Sequence, residues 1–134
     1  MSRADRSIIV SAKKRPRILL CDAALALDEL YLMLLRSIPA IVEAVTSCAD
    51  MYVHKEQAYA LVILVLPPKS SETTEAAHFV RHRWSSARIL LLESEVAAID
   101  DWLYDERIDP NLDPATVREA AIRLIAEEGH LFPA

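Results

Sequence analysis

The chain has 134 residues, 53% of them hydrophobic but only 6% aromatic, and a net charge of −5. That is one domain with an aliphatic core. No apolar stretch approaches the roughly 20 residues that cross a bilayer, and the single glycine rules out Gly-rich phosphate loops and dinucleotide fingerprints. Cys21 and Cys48 have neither metal spacing nor the pattern of a disulfide framework, so a reduced, cytoplasmic protein with buried free thiols is expected.

Charge is unevenly placed. Residues 1–17 hold Arg3, Arg6, Lys13, Lys14, Arg15 and Arg17 against Asp5 alone, a balance of +5 that leaves −10 for the rest. Residues 1–16 read as a basic, mobile leader without a sustained apolar period, carrying one β-prone triplet, Ile8-Ile9-Val10. Residues 17–134 read as the folded domain. Its acidic balance suits nucleic acid poorly, because phosphate contacts need clustered Lys and Arg.

Four short apolar runs mark strands: residues 18–21, 41–45, 60–66 and 89–92. The third of them, Ala-Leu-Val-Ile-Leu-Val-Leu, has the continuous character of a strand buried on both faces. After the first run, Leu27, Leu30, Tyr31, Leu34, Leu35 and Ile38 form a helical stripe, with Asp28 and Glu29 at its positive end and Pro39 as its stop. The second helix must be short and is set at 49–58. The third, roughly 71–84, turns Ala76, Phe79, Val80 and Trp84 inward. Too few residues separate Leu92 from Arg107 for a full helix and strand, so 94–101 is expected to be a truncated fourth helix and 103–108 a weak fifth strand. Asp113-Pro114 then starts a last helix, with Val117, Ala120, Ala121, Leu124 and Ile125 as its apolar stripe and Gly129 as its stop. This alternation argues for right-handed βαβ units and a parallel sheet covered on both sides.

The motifs at the strand ends resemble the receiver (CheY-like) domains of bacterial response regulators over residues 17–126. Arg-Ile-Leu-Leu-Cys-Asp-Ala matches their first strand, but where the family carries an Asp pair that helps hold Mg²⁺, this chain has Asp22 and Ala23. Leu-Val-Ile-Leu-Val-Leu-Pro-Pro matches their third strand, with Val65 in place of the phospho-acceptor Asp. Glu93 stands where a hydroxyl residue reports phosphorylation. The family's Lys-Pro has two candidate counterparts, Tyr104-Asp105-Glu106 or Ile108-Asp109-Pro110, and neither contains lysine. The resemblance implies a flavodoxin-like doubly wound parallel sheet in the order 2-1-3-4-5 and a place in two-component signal transduction or a phosphorelay. The substitutions imply a degenerate pseudo-receiver, because one Asp is too few for an oxygen-ligated Mg²⁺ and charge on a transferring phosphoryl group would lack a stabiliser.

Other readings of single residues are weaker. Asp22 fits a cap of the first helix or a solvent-facing side chain better than a functional site. Asp22 and Glu93 could meet at the C-terminal edge of the sheet, but no third group completes acid-base chemistry there. His78 and His82 share a helix face without a third ligand, and Ser70, Ser71, Thr73 and Thr74 suit a loop before a helix. No catalytic residue, metal site or cofactor is expected. The chain is expected to be a signalling adaptor that binds another signalling protein. A small-ligand site at the edge around Asp22, Val65 and Glu93 is the alternative. A homodimer through Trp102, Leu103, Tyr104 and Arg107 is a further expectation, because a truncated fourth helix should uncover apolar surface.

Overall fold

A computed structural model describes residues 15–54, 58–67, 70–93, 103–111 and 113–130. The leader expected over 1–16 lies outside them except for Arg15 and Pro16; the fourth helix expected over 94–101, Trp102 and Pro68 lie outside them too. The elements run β1 (Arg17–Asp22), α1 (Glu29–Arg36), β2 (Ile41–Val45), α2 (Cys48–Tyr52), β3 (Leu61–Val65), α3 (Glu72–Arg83), β4 (Arg88–Leu92), β5 (Glu106–Ile108) and α4 (Pro114–His130). The strands form one sheet in the order β2-β1-β3-β4-β5, every pair parallel.

Alternation along the inner strands splits the core in two. Ile18, Leu20, Leu61, Ile63, Val65, Leu90 and Leu92 face Tyr31, Leu35 and Ile38 from α1 and its C-terminal turn, and Val117, Ala120, Ala121 and Leu124 of α4. Leu19, Cys21, Val62, Leu64, Ile89 and Leu91 face Cys48 and Met51 of α2, Ala76, Ala77 and Val80 of α3, and Trp84. All five residues of β3 are buried, as its apolar run requires of a strand in the middle of the sheet. Truncating one of its Leu or Ile side chains to Ala would cost about 2–5 kcal/mol.

Helix ends follow local chemistry. Asp28 caps α1, its side chain accepting from Tyr31 N at 2.9 Å, and Ser47 caps α2 through Asp50 N at 3.0 Å. Four details differ from the sequence expectation. The second helix ends at Tyr52, well short of residue 58, because Val53 leaves helical geometry and caps it. Leu30 does not join the buried stripe but is 56% exposed; it lies about 100° round the helix from Tyr31, which faces the core. The fifth strand keeps only Glu106–Ile108, and Leu103 is buried at 1% exposure because it turns into the core beneath β4 and α3. Gly129 lies inside α4 and does not end it; one glycine near a helix end costs only about 1 kcal/mol relative to Ala. Among the described residues, no helix is long and apolar enough to cross a membrane.

Candidate functional site

In open parallel α/β sheets, functional groups gather at the C-terminal edge of the strands. Register decides who meets there: Asp22 lies opposite Val65, Val65 opposite Leu92, and Leu92 opposite Ile108. Glu93 N donates to Ile108 O at 3.0 Å, so Glu93 and Asp109 follow at the same level. Asp22, Val65, Glu93 and Asp109 thus lie at the same edge of the sheet. Asp105 does not. Its Oδ2 accepts from Ile89 N at 2.7 Å, near the start of β4, at the opposite edge of the sheet. Of the two candidate counterparts of Lys-Pro, Ile108-Asp109-Pro110 occupies the site, and Asp105 is removed from it.

Asp22 is 7% exposed. Its Oδ1 accepts from Ala26 N at 3.0 Å and its Oδ2 from Leu27 N at 3.1 Å. Both oxygens therefore fold the loop into α1, while the cap itself belongs to Asp28. The loop is tightened by Ala24 N donating to Val65 O at 3.0 Å and by Leu25 N donating to Asp22 O at 3.2 Å. It forces Leu25 to φ 52, a left-handed conformation that costs a β-carbon about 1–2 kcal/mol. Ala23 is half-buried and packs toward the α2–α3 side of the core.

Val65 is 2% exposed and Glu93 6% exposed. Arg107 donates from Nη1 to Glu93 O at 3.0 Å, bringing one guanidinium to the rim on the backbone side. Asp109 is turned to its own loop, its Oδ1 accepting from Asn111 N at 2.9 Å. Tyr31 reaches up from α1, its hydroxyl donating to Pro110 O at 3.4 Å. Burial, then the charges of Asp109, Asp113 and Asp28, push that phenol up to about 12, so it stays a neutral donor. A depression of about 190 Å³ remains, lined by Ala24, Ala26, Val65, Leu66, Leu92, Glu93, Pro110 and Asn111.

These donors do not fit an oxygen-ligated Mg²⁺. Such a site needs several carboxylate or carbonyl oxygens free to coordinate, whereas Asp22 is committed to two amides and Ala23 and Val65 carry no side-chain oxygen. Among the described residues, no group of three His, Cys, Asp or Glu side chains is placed to hold a metal. His78 and His82 lie on the exposed face of α3. Cys21 and Cys48 are free and buried. Burial and then the neighbouring Cys48 push the Cys21 thiol up to about 12, and burial followed by the charge of Glu72 raises Cys48, so neither is poised as a nucleophile.

The sequence reading missed one polar cluster away from this edge. Glu43, on edge strand β2, accepts from Arg17 Nη1 at 2.7 Å, meets His54 Nε2 at 3.2 Å and accepts from the Tyr59 hydroxyl. Burial raises its carboxyl, but the Tyr59 and His54 hydrogen bonds and the Arg17 charge outweigh that and leave it lowered. A single acid within an apolar strand pattern was the available signal.

The sequence matches no protein-family profile and no curated protein. Solved structures match by shape. A receiver domain protein (CheY-like) from Methanospirillum hungatei superposes with a TM-score of 0.70 at 16% identity, covering 87% of this chain and 98% of that one. A response regulator from Thermotoga maritima, solved in complex with Mg²⁺ and BeF, gives 0.62 at 22% identity over 81% and 98% of the two chains. A structure described as an adenylate cyclase from Rhodopirellula baltica gives 0.68 at 18% identity, over 87% and 91%. At these identities the likeness is one of fold, and the fold is that of receiver domains: a flavodoxin-like parallel sheet in the order 2-1-3-4-5.

Proposed function

We propose that this chain is a pseudo-receiver, a signalling adaptor related to the receivers of two-component pathways that works by binding another signalling protein and not by aspartyl phosphorylation. The observation that carries the reading is Val65, an aliphatic side chain at the end of the central strand, level with Asp22 and Leu92. A carbon side chain cannot attack phosphorus. Around it, Asp22 is spent on the loop amides, and acids, Glu93 and Asp109, replace the hydroxyl and the lysine of the resemblance, with the Arg107 guanidinium held on the Glu93 carbonyl. We assign no catalytic step and no cofactor to the protein, and place it in a reducing cytoplasm on the strength of its two free thiols.

The small-ligand alternative is less well supported. The depression at the edge, about 190 Å³, falls below the roughly 300–1,000 Å³ of ordinary ligand pockets. Of the stretch expected to contact a partner, Leu103 is buried, which leaves Tyr104 and Arg107 as its accessible described members.

Amide NMR of the labelled chain with Mg²⁺ and beryllofluoride tests the proposal. No shift changes are expected around Asp22, Val65 and Glu93; saturable changes there would refute it. A signalling protein recovered from native cells should remain bound after phosphatase treatment, and its release would argue for a phosphorylated state.

A further inference from the structure

The outward side of α1 carries groups that the fold uses only in part, Leu32 alone of them also packing against the core. Glu29, Leu32, Met33 and Arg36 line one shallow depression. Their spacing, i, i+3, i+4 and i+7, makes them a single stripe along two turns. Met33 is 62% exposed and the adjoining Leu30 56% exposed, two large apolar side chains in solvent on a helix of eight residues. Leu25, in the loop before the helix, is also exposed, at 72%.

The charges at the two ends have an order. Glu29 stands in the first turn and Arg36 in the last, about 10 Å apart along the axis, too far to pair with each other. Among the described residues neither joins an ion pair. A stripe reading acid, apolar, apolar, base is its own complement under a two-fold rotation. Laid antiparallel on a second copy, Glu29 meets Arg36 of the other copy at both ends, and Leu32 and Met33 meet their equivalents in the middle. Parallel pairing would set acid against acid and base against base. A two-fold contact of this kind is isologous, the commonest way soluble proteins pair.

We propose that this face is a homodimer interface, in which two copies of the chain pack α1 against α1 in antiparallel fashion. The inference is independent of the phosphorylation-independent reading. Two turns per copy bury less than the roughly 1,600 Å² of a standard stable interface, so the dimer is weak, with a Kd of about 10 μM to 1 mM.

Sedimentation equilibrium of the full chain across that range, with charge-swap variants, is the test. Glu29→Arg and Arg36→Glu should each weaken self-association at least about tenfold, since each sets two like-charge contacts into the interface. The double swap should restore it. An equimolar mixture of the two single variants should pair, because every end contact is then attractive; circular dichroism of each variant confirms that it is folded. A wild-type chain that stays monomeric up to about 1 mM, self-association indifferent to both single swaps, or single variants that do not pair when mixed would each overturn the proposal. So would association that disappears on removing residues 1–14 while the charges of α1 are intact, which would assign the contact to the leader.

Discussion

Glu43 is the side chain whose contribution to stability should depend most visibly on acid. Its carboxylate is favoured in the folded state by Tyr59, His54 and Arg17 and its pKa is lowered. A lowered native pKa means stability that is present above the ordinary carboxylate value of about 4.3 and disappears as the pH falls through the lower native one. Glu43→Ala should therefore cost about 1–2 kcal/mol at neutral pH and clearly less near pH 3, read by urea denaturation at the two pH values. An equal loss at both would show that packing, not charge, is at stake. Leu25 tests the loop above the sheet. Because its β-carbon is held at φ 52 with the side chain 72% exposed, Leu25→Gly should raise stability by up to about 1 kcal/mol. A melting temperature that falls would mean that the Leu25 side chain makes contacts worth more than the strain. A left-handed leucine leaves no local pattern in the sequence, and the only trace of the Glu43 cluster is one acid within the apolar run of β2.

The fifth strand has three residues, too few to hold its place by pairing alone. Asp105 completes it. Its backbone N donates to Ile89 O at 2.9 Å, its Oδ2 accepts from Ile89 N at 2.7 Å, and Arg81 and Arg88 reach its two oxygens at 3.1 Å each. A side chain here does the work of a missing ladder bond. Asp105→Ala should cost about 1–3 kcal/mol and speed amide exchange over Glu106–Ile108 more than over β3; uniform exchange across both strands would contradict this role. Long or continuous patterns were legible in the sequence: the runs of β1, β3 and β4, the α1 stripe and the Asp113-Pro114 start. The short elements were legible in kind and order but not in their bounds. The helix at Cys48–Tyr52 and the strand at Glu106–Ile108 are set by capping and by contacts distant in sequence, which no local period records.

Chain order and apolar runs pointed to a right-handed parallel α/β sheet, and the receiver resemblance supplied its strand order. The site was legible in part. Asp22, Val65, Glu93 and Asp109 lie at one edge of the sheet, but placing Asp109 there and Asp105 at the opposite edge required the register of β4 and β5. At that edge stand Val65, the acids Asp22, Glu93 and Asp109, of which Asp22 and Asp109 accept from loop amides, and the Arg107 guanidinium on the Glu93 carbonyl. Intact-mass analysis after incubation with acetyl phosphate and Mg²⁺ tests this most directly, on the wild-type chain and on Val65→Asp. That variant places a carboxylate beside Asp22 and Glu93 without a lysine, so it should be destabilised by about 2–4 kcal/mol and gain no switching. The wild-type mass should stay unchanged. A reproducible base-labile gain of one phosphoryl group, mapped to an aspartate of the wild-type chain, would contradict the pseudo-receiver account.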